Sequence, residues 1–233
     1  MSYLINSVSF NGIFKGAYSH EKIKRPVAIC VDKFDSNVFI GENNPCNVLV
    51  FDSDMNFKRG FDICVRVATM TSLASDLNDL YVLDCKANRI AVFNSRTGQY
   101  NRCVKITAPF EIEILSETIF VLSSCLELNS ICLLNKKSLE LIREIRHDFC
   151  FFRGLCVKDS VNGNYVLITT SFDKNDKTLS KRGDLILLDE NGNTLVRKEL
   201  PFIQNGFNYL NFMDKNQLIA CYDKKIKIIN FQN

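Results

Sequence analysis

The chain has 233 residues, 46% hydrophobic and 24% charged, which supports a sizeable core and excludes wholesale disorder. Its net charge of +3 neither demands nor forbids an anionic partner. Phenylalanine occurs 18 times, proline four times and tryptophan never, a balance that favours strands because aromatic side chains suit a pleated, half-buried surface.

In chain order, the first eight residues show no basic stretch leading into a long apolar run, and nowhere do about 18 apolar residues run together. A cytoplasmic chain without leader or membrane span is therefore expected. Val8-Ser9-Phe10-Asn11 is the first apolar run closed by Asp or Asn, and Ile13-Phe14-Lys15-Gly16-Ala17-Tyr18 predicts a strand after it. Val27-Ala28-Ile29-Cys30-Val31, the turn Asp35-Ser36-Asn37, Val38-Phe39-Ile40 and Leu49-Val50-Phe51-Asp52 follow. The pattern returns in Leu80-Tyr81-Val82 and Ala91-Val92-Phe93-Asn94, then in Phe110-Glu111-Ile112-Glu113-Ile114, Ile119-Phe120-Val121 and Leu133-Leu134-Asn135. It recurs in Tyr165-Val166-Leu167 and Leu187-Leu188-Asp189, and finally in Leu218-Ile219-Ala220 and Ile228-Ile229-Asn230.

The six Asp/Asn landmarks, 11, 52, 94, 135, 189 and 230, are 41, 42, 41, 54 and 41 residues apart, and the long interval holds a polar insertion at 173–182. Three to four short strands per repeat of about 41 residues, without a helical period, predict an all-β fold, a β-propeller of four-stranded antiparallel blades. One domain over 1–233 is expected, with repeats near 25–64, 65–106, 107–147 and 148–200 and partial repeats at 1–24 and 201–233. In the partial first repeat, residues 3–10 read as a third strand and 13–18 as a fourth. An open edge invites stray pairing, so the N-terminal strand is expected to complete the last blade, giving about five blades, with an incomplete six as the alternative. Cys30, Cys132, Cys156 and Cys221, four of the ten cysteines, fall inside strand-like runs and read as reduced, buried thiols.

Pro26-Val27-Ala28-Ile29-Cys30-Val31-Asp32 and Asn88-Arg89-Ile90-Ala91-Val92-Phe93-Asn94-Ser95-Arg96-Thr97-Gly98 resemble the NHL repeat family, best over residues 25–105. WD40 is less similar, for want of tryptophan. The resemblance implies a propeller of the kind that ends tripartite-motif ubiquitin ligases, here without their RING and B-box cysteine/histidine arrays. It also brings in RNA-binding propellers and six-bladed hydrolases that hold a divalent metal through channel carboxylates, for which Asp32, Glu42, Asp84, Glu111 and Asp223 are the residues available.

The only histidines are His20 and His147, and no nucleophile elbow, phosphate loop or metal motif occurs, so neither enzyme chemistry nor a cofactor is expected. A protein-binding module acting through its loops is the leading expectation, with single-stranded RNA as alternative partner and metal-dependent hydrolysis third. In the loops joining second to third strands, eight basic residues face seven acidic ones, a balance of +1. Lys86, Arg89, Lys177, Lys181, Arg182, Lys224 and Lys225 are the candidate partner-binding residues. The insertion at 173–182, and Phe149, Phe151 and Phe152 beside Arg153, are further candidates for contact.

Overall fold

The computed structural model describes residues 4–9, 20–124, 129–146, 150–159, 165–173, 183–200, 209–212, 217–222 and 225–232. No helix forms among them, and none is long and apolar enough to cross a membrane. β1 (Leu4–Ser9) comes first. β2 (Pro26–Val31), β3 (Val38–Glu42), β4 (Asn47–Phe51) and β5 (Phe57–Asp62) form one antiparallel sheet, and β6 (Met70–Asp76), β7 (Asp79–Asp84), β8 (Arg89–Asn94) and β9 (Tyr100–Lys105) form another. β10 (Pro109–Leu115), β11 (Thr118–Ser124), β12 (Asn129–Asn135) and β13 (Leu141–Arg146) make a third, and β14 (Cys150–Asp159), β15 (Tyr165–Asp173), β16 (Gly183–Leu188) and β17 (Thr194–Leu200) a fourth. β18 (Tyr209–Phe212), β19 (Gln217–Tyr222) and β20 (Lys225–Gln232) belong to the fifth, which β1 completes in the order β1-β20-β19-β18.

That last pairing corrects one reading of the sequence. Val8-Ser9 belongs to a fourth strand, with Leu4 opposite Gln232 and Ser9 opposite Lys227, and the third strand of the same sheet is β20. Without β1, the outer edge of β20 would present unpaired amides and carbonyls. Asn230 accordingly lies inside a ladder, opposite Asn6 and Gln217, instead of opening a turn. Asn11 and the strand expected at 13–18 lie outside the described residues.

Four other landmarks open the turn between third and fourth strands, and their chemistry explains their spacing. Asp52 Oδ1 accepts the amides of Asp54 (3.0 Å) and Asn56 (2.8 Å), and Asp189 Oδ1 accepts those of Asn191 (2.8 Å) and Asn193 (2.7 Å). Asn94 Oδ1 takes Arg96 N and Thr97 N, and Asn135 Oδ1 takes Lys137 N and Ser138 N. A short side chain that accepts from amides two to four residues ahead is what an Asx turn requires.

The strands divide by burial. β3 and β7 are covered on both faces and read as apolar runs, whereas β5 and β9 alternate, because a fourth strand keeps one face in water. The chain falls into two compact units, residues 16–128 with 133–142 in one and the remainder in the other. In the first unit Phe39, Val48, Val50 and Phe61 of one sheet interdigitate with Met70, Leu73, Leu80, Val82 and Phe93 of the next. Two turns are fitted tightly against a neighbouring sheet. Gly98 (φ 74°) would place a Cβ 2.5 Å from Phe61 Cβ, and Gly192 (φ 85°) would place one 2.5 Å from Ile145. Gly98→Ala combines left-handed strain with that clash, so an expected loss of about 2 kcal/mol should appear as a lower urea midpoint at unchanged slope.

Candidate loop-rim site

Successive strands of an antiparallel sheet reverse direction. The turn from second to third strand and the connection from fourth strand to the next sheet therefore emerge at the same end. In the first unit hydrogen bonds join these segments into a continuous rim. Arg25 O accepts from Asn43 N (3.4 Å), Asn43 Nδ2 donates to Met70 O (2.9 Å) and Asn43 Oδ1 accepts Met70 N (3.0 Å). Ile63 N donates to Cys46 O (3.1 Å), Cys85 N to Thr69 O (3.0 Å) and Ile106 N to Asn88 O (3.0 Å).

Two buried carboxylates hold this rim from below. Glu42, at the end of β3, accepts the backbone amides of Lys24 and Arg25 through Oε1. Asp84, at the matching end of β7, accepts Ala68 N (3.1 Å), Thr69 N (3.1 Å) and Ala87 N (3.3 Å), and pairs with Arg89 Nη2 (3.3 Å). Each clamps the segment leading into its sheet's own first strand. Both Asp84 oxygens are taken by amides and a guanidinium, so as a metal ligand or general base Asp84 has little left to offer, and Glu42 Oε1 is held by its two amides. Among the described residues no group of three or more His, Cys, Asp or Glu side chains is placed to hold a metal ion. Asp32 sits at the opposite end of the unit, Glu111 is buried on β10, and Asp223 lies outside the described residues.

With Glu42 and Asp84 buried, the rim's solvent-facing charge is cationic. Lys24, Arg25, Arg66, Lys86 and Lys105 are exposed, Arg89 is half-buried, and among the described residues of the rim segments 24–25, 43–46, 62–69, 84–89 and 105–108 the only exposed acid is Asp62. Six cations against three carboxylates leave +3, two of the three carboxylates being internal. Arg89 Nη2 also donates to Arg66 O, and the Arg66 guanidinium lies over the Tyr100 ring, 5.0 Å from its centroid. The opposite end is acidic. In its turns Asp32, Asp35, Asp52, Asp54, Asp76, Asp79, Glu117 and Glu140 outnumber Lys33, Arg96, Lys136 and Lys137 by eight to four, and with Lys58, which reaches Asn37 Oδ1 (2.8 Å), and Arg102, which pairs with Asp79 (2.9 Å), the balance is −2. Lys136 is itself engaged by Asp76 (2.8 Å) and Glu117 (3.1 Å).

A second polar cluster lies at the acidic end, between β2, β6 and β10. Asp32 is buried, with Oδ1 accepting Phe34 N (2.8 Å), while Oδ2 finds no partner among the described residues. Lys33 Nζ reaches Ile114 O at 3.5 Å. Burial pushes the Glu113 carboxyl up to about 7 against the pull of the Lys33 ammonium. Burial also drives the Cys30 thiol up to about 12, with Ser75 opposing and Asp32 and Glu113 adding to the shift. Cys30 is thus a protonated, unreactive thiol.

Of the residues the sequence singles out, Lys86 lies exposed in the turn between β7 and β8, and Arg89 opens β8 with its guanidinium committed to Asp84. Lys225 is the first residue of β20. Lys177, Lys181, Arg182, Lys224, Phe149 and residues 174–182 of the insertion lie outside the described residues, and Phe151, Phe152 and Arg153 are backbone positions of β14. The structure adds Lys24, Arg25, Arg66 and Lys105, which sequence reasoning missed because it counted only second-to-third-strand loops.

No protein-family model and no curated protein matches the sequence. Among solved structures, the chain is similar to Kuenenia stuttgartiensis hydrazine synthase, at 17% identity and a TM-score of 0.64, over 90% of this chain and 59% of that one. It is also similar to BamB from Moraxella catarrhalis (14%, TM-score 0.55, 91% and 62%) and to a protein of unknown function from Bacteroides caccae (14%, 0.57, 75% and 67%). The chain thus spans about six-tenths of the length of the first two. With its five four-stranded antiparallel sheets, the likeness shows the fold, a β-propeller of about five blades.

Proposed function

We propose that this β-propeller is a non-catalytic, cytoplasmic interaction module of the NHL type, binding a protein partner through its loops. The observation that carries the reading is the rim of the first unit: six cations over a framework latched by Glu42 and Asp84, with a single exposed acid among the described residues of segments 24–25, 43–46, 62–69, 84–89 and 105–108. Rigidly held loops with exposed charge suit recognition, because little ordering entropy is lost when a partner docks. The NHL resemblance over residues 25–105 supports the finer assignment, and with it a link to regulation of the ubiquitin-ligase type.

The test is affinity capture with mass spectrometry. It compares the whole chain with the rim reversal Lys24→Glu/Arg66→Glu/Lys86→Glu and with a chain lacking residues 174–182. Loss of a reproducible set of proteins in either variant is expected. An identical set from all three chains removes the reading. The same cations favour RNA as a second reading, and capture abolished by ribonuclease would put RNA in the protein's place.

A further inference from the structure

The rim's chemistry narrows the partner, provided the interaction reading above holds. We infer that the rim of the first unit takes an acidic polypeptide segment carrying an apolar side chain. Its segments at 24–25, 43–46, 62–69, 84–89 and 105–108 contain no aromatic residue. The aromatic ring that a rim cation touches, Tyr100, is covered by Arg66 and meets the Phe93 ring edge-on at 5.7 Å. Single-stranded nucleic acid draws much of its affinity from bases stacked on aromatic platforms, and these segments supply none.

What they supply besides charge is Val65, 90% exposed in the connection between β5 and β6 and adjacent to Arg66. An isolated apolar side chain amid cations matches a ligand that alternates carboxylates with an apolar residue. The rest of the unit supports the same polarity. An acidic segment is repelled by the opposite end, at −2, and steered towards the rim, at +3.

Fluorescence anisotropy with labelled synthetic probes tests this on the full chain: a peptide of glutamates with interspersed leucines, an all-glutamate peptide and oligouridylate of equal length. The mixed peptide should bind best and weaken as salt rises. Its affinity should fall about tenfold or more in Lys24→Glu/Arg66→Glu/Lys86→Glu and several-fold in Val65→Ser. Lys137→Glu, at the acidic end, should leave it unchanged. The four side chains of the first two variants are exposed, and an unchanged circular dichroism spectrum confirms that folding is intact. Tighter binding of oligouridylate, equal binding of the two peptides, or no binding of any probe at low salt overturns the inference. Rim-dependent capture of proteins alongside silent peptides would discard this inference and leave the interaction reading standing.

Discussion

Asp84→Ala is expected to lower the unfolding free energy by about 3–5 kcal/mol, the range for removing one partner of a buried charge network. The carboxylate is fully buried and accepts three backbone amides, from Ala68, Thr69 and Ala87, besides pairing with Arg89. Alanine leaves those amides without an acceptor and takes the carboxylate from a half-buried guanidinium, which keeps its bond to Arg66 O. Both effects exceed the modest net value of the hydrogen bonds themselves, because desolvation of the orphaned groups is no longer compensated. Asp84→Asn should fall between wild type and alanine. Its oxygen still accepts from one side, while its amide nitrogen confronts a donor. Glu42→Ala should cost less, about 1–3 kcal/mol, since its carboxylate accepts two amides and, among the described residues, pairs with no cation. Urea denaturation reads all three, and a loss below about 1 kcal/mol in Asp84→Ala would remove the latch from the account.

That latch also shows where a sequence stops being readable. The landmarks at 52, 94, 135 and 189 were legible because an Asx turn needs Asp or Asn at one position, so local chemistry writes itself into the spacing. The paired middle strands were legible because burial on both faces leaves unbroken apolar runs such as Leu80-Tyr81-Val82. The place of β1 was only partly so. That it completes the last sheet follows from edge protection, but Val8-Ser9-Phe10-Asn11 imitates a third strand, and only its pairing with β20 shows it to be a fourth.

The rim was hidden for a different reason. A charge count from sequence weighs Glu42 and Asp84 equally with Lys86, although the first two are buried acceptors of backbone amides and the third faces water. It also left out the connections that bring Lys24, Arg25, Arg66 and Lys105 to the same end. The alternation of strand direction alone would have placed those four. Burial of the two carboxylates needs the fold, since nothing in a single Asp or Glu distinguishes an internal latch from a surface charge.

Glu113 gives the second large effect, and its sign runs opposite to that of Asp84. Burial raises its carboxyl from an ordinary 4.5 to about 7, because the charged form loses water that Lys33 does not fully replace. Below about pH 4.5 the group is neutral in folded and unfolded chains and costs nothing. As pH rises towards 7 the unfolded chain releases its proton first, so stability falls across that interval and then levels off. The full shift corresponds to about 3 kcal/mol, and solvent reaching the partly exposed side chain reduces this to about 2 kcal/mol. Glu113→Gln keeps the shape and removes the charge. It should therefore stabilise the protein by about 2 kcal/mol near pH 8, leave it unchanged near pH 4.5 and flatten the slope between. Cys30, Asp32 and Lys33 face the same cluster, and Lys33→Met supplies the complementary arm. Without the ammonium the carboxyl should titrate still higher, and the wild-type slope should steepen. Equal stabilisation by Glu113→Gln at both pH values would mean that packing, and not a desolvated charge, governs this end of the unit.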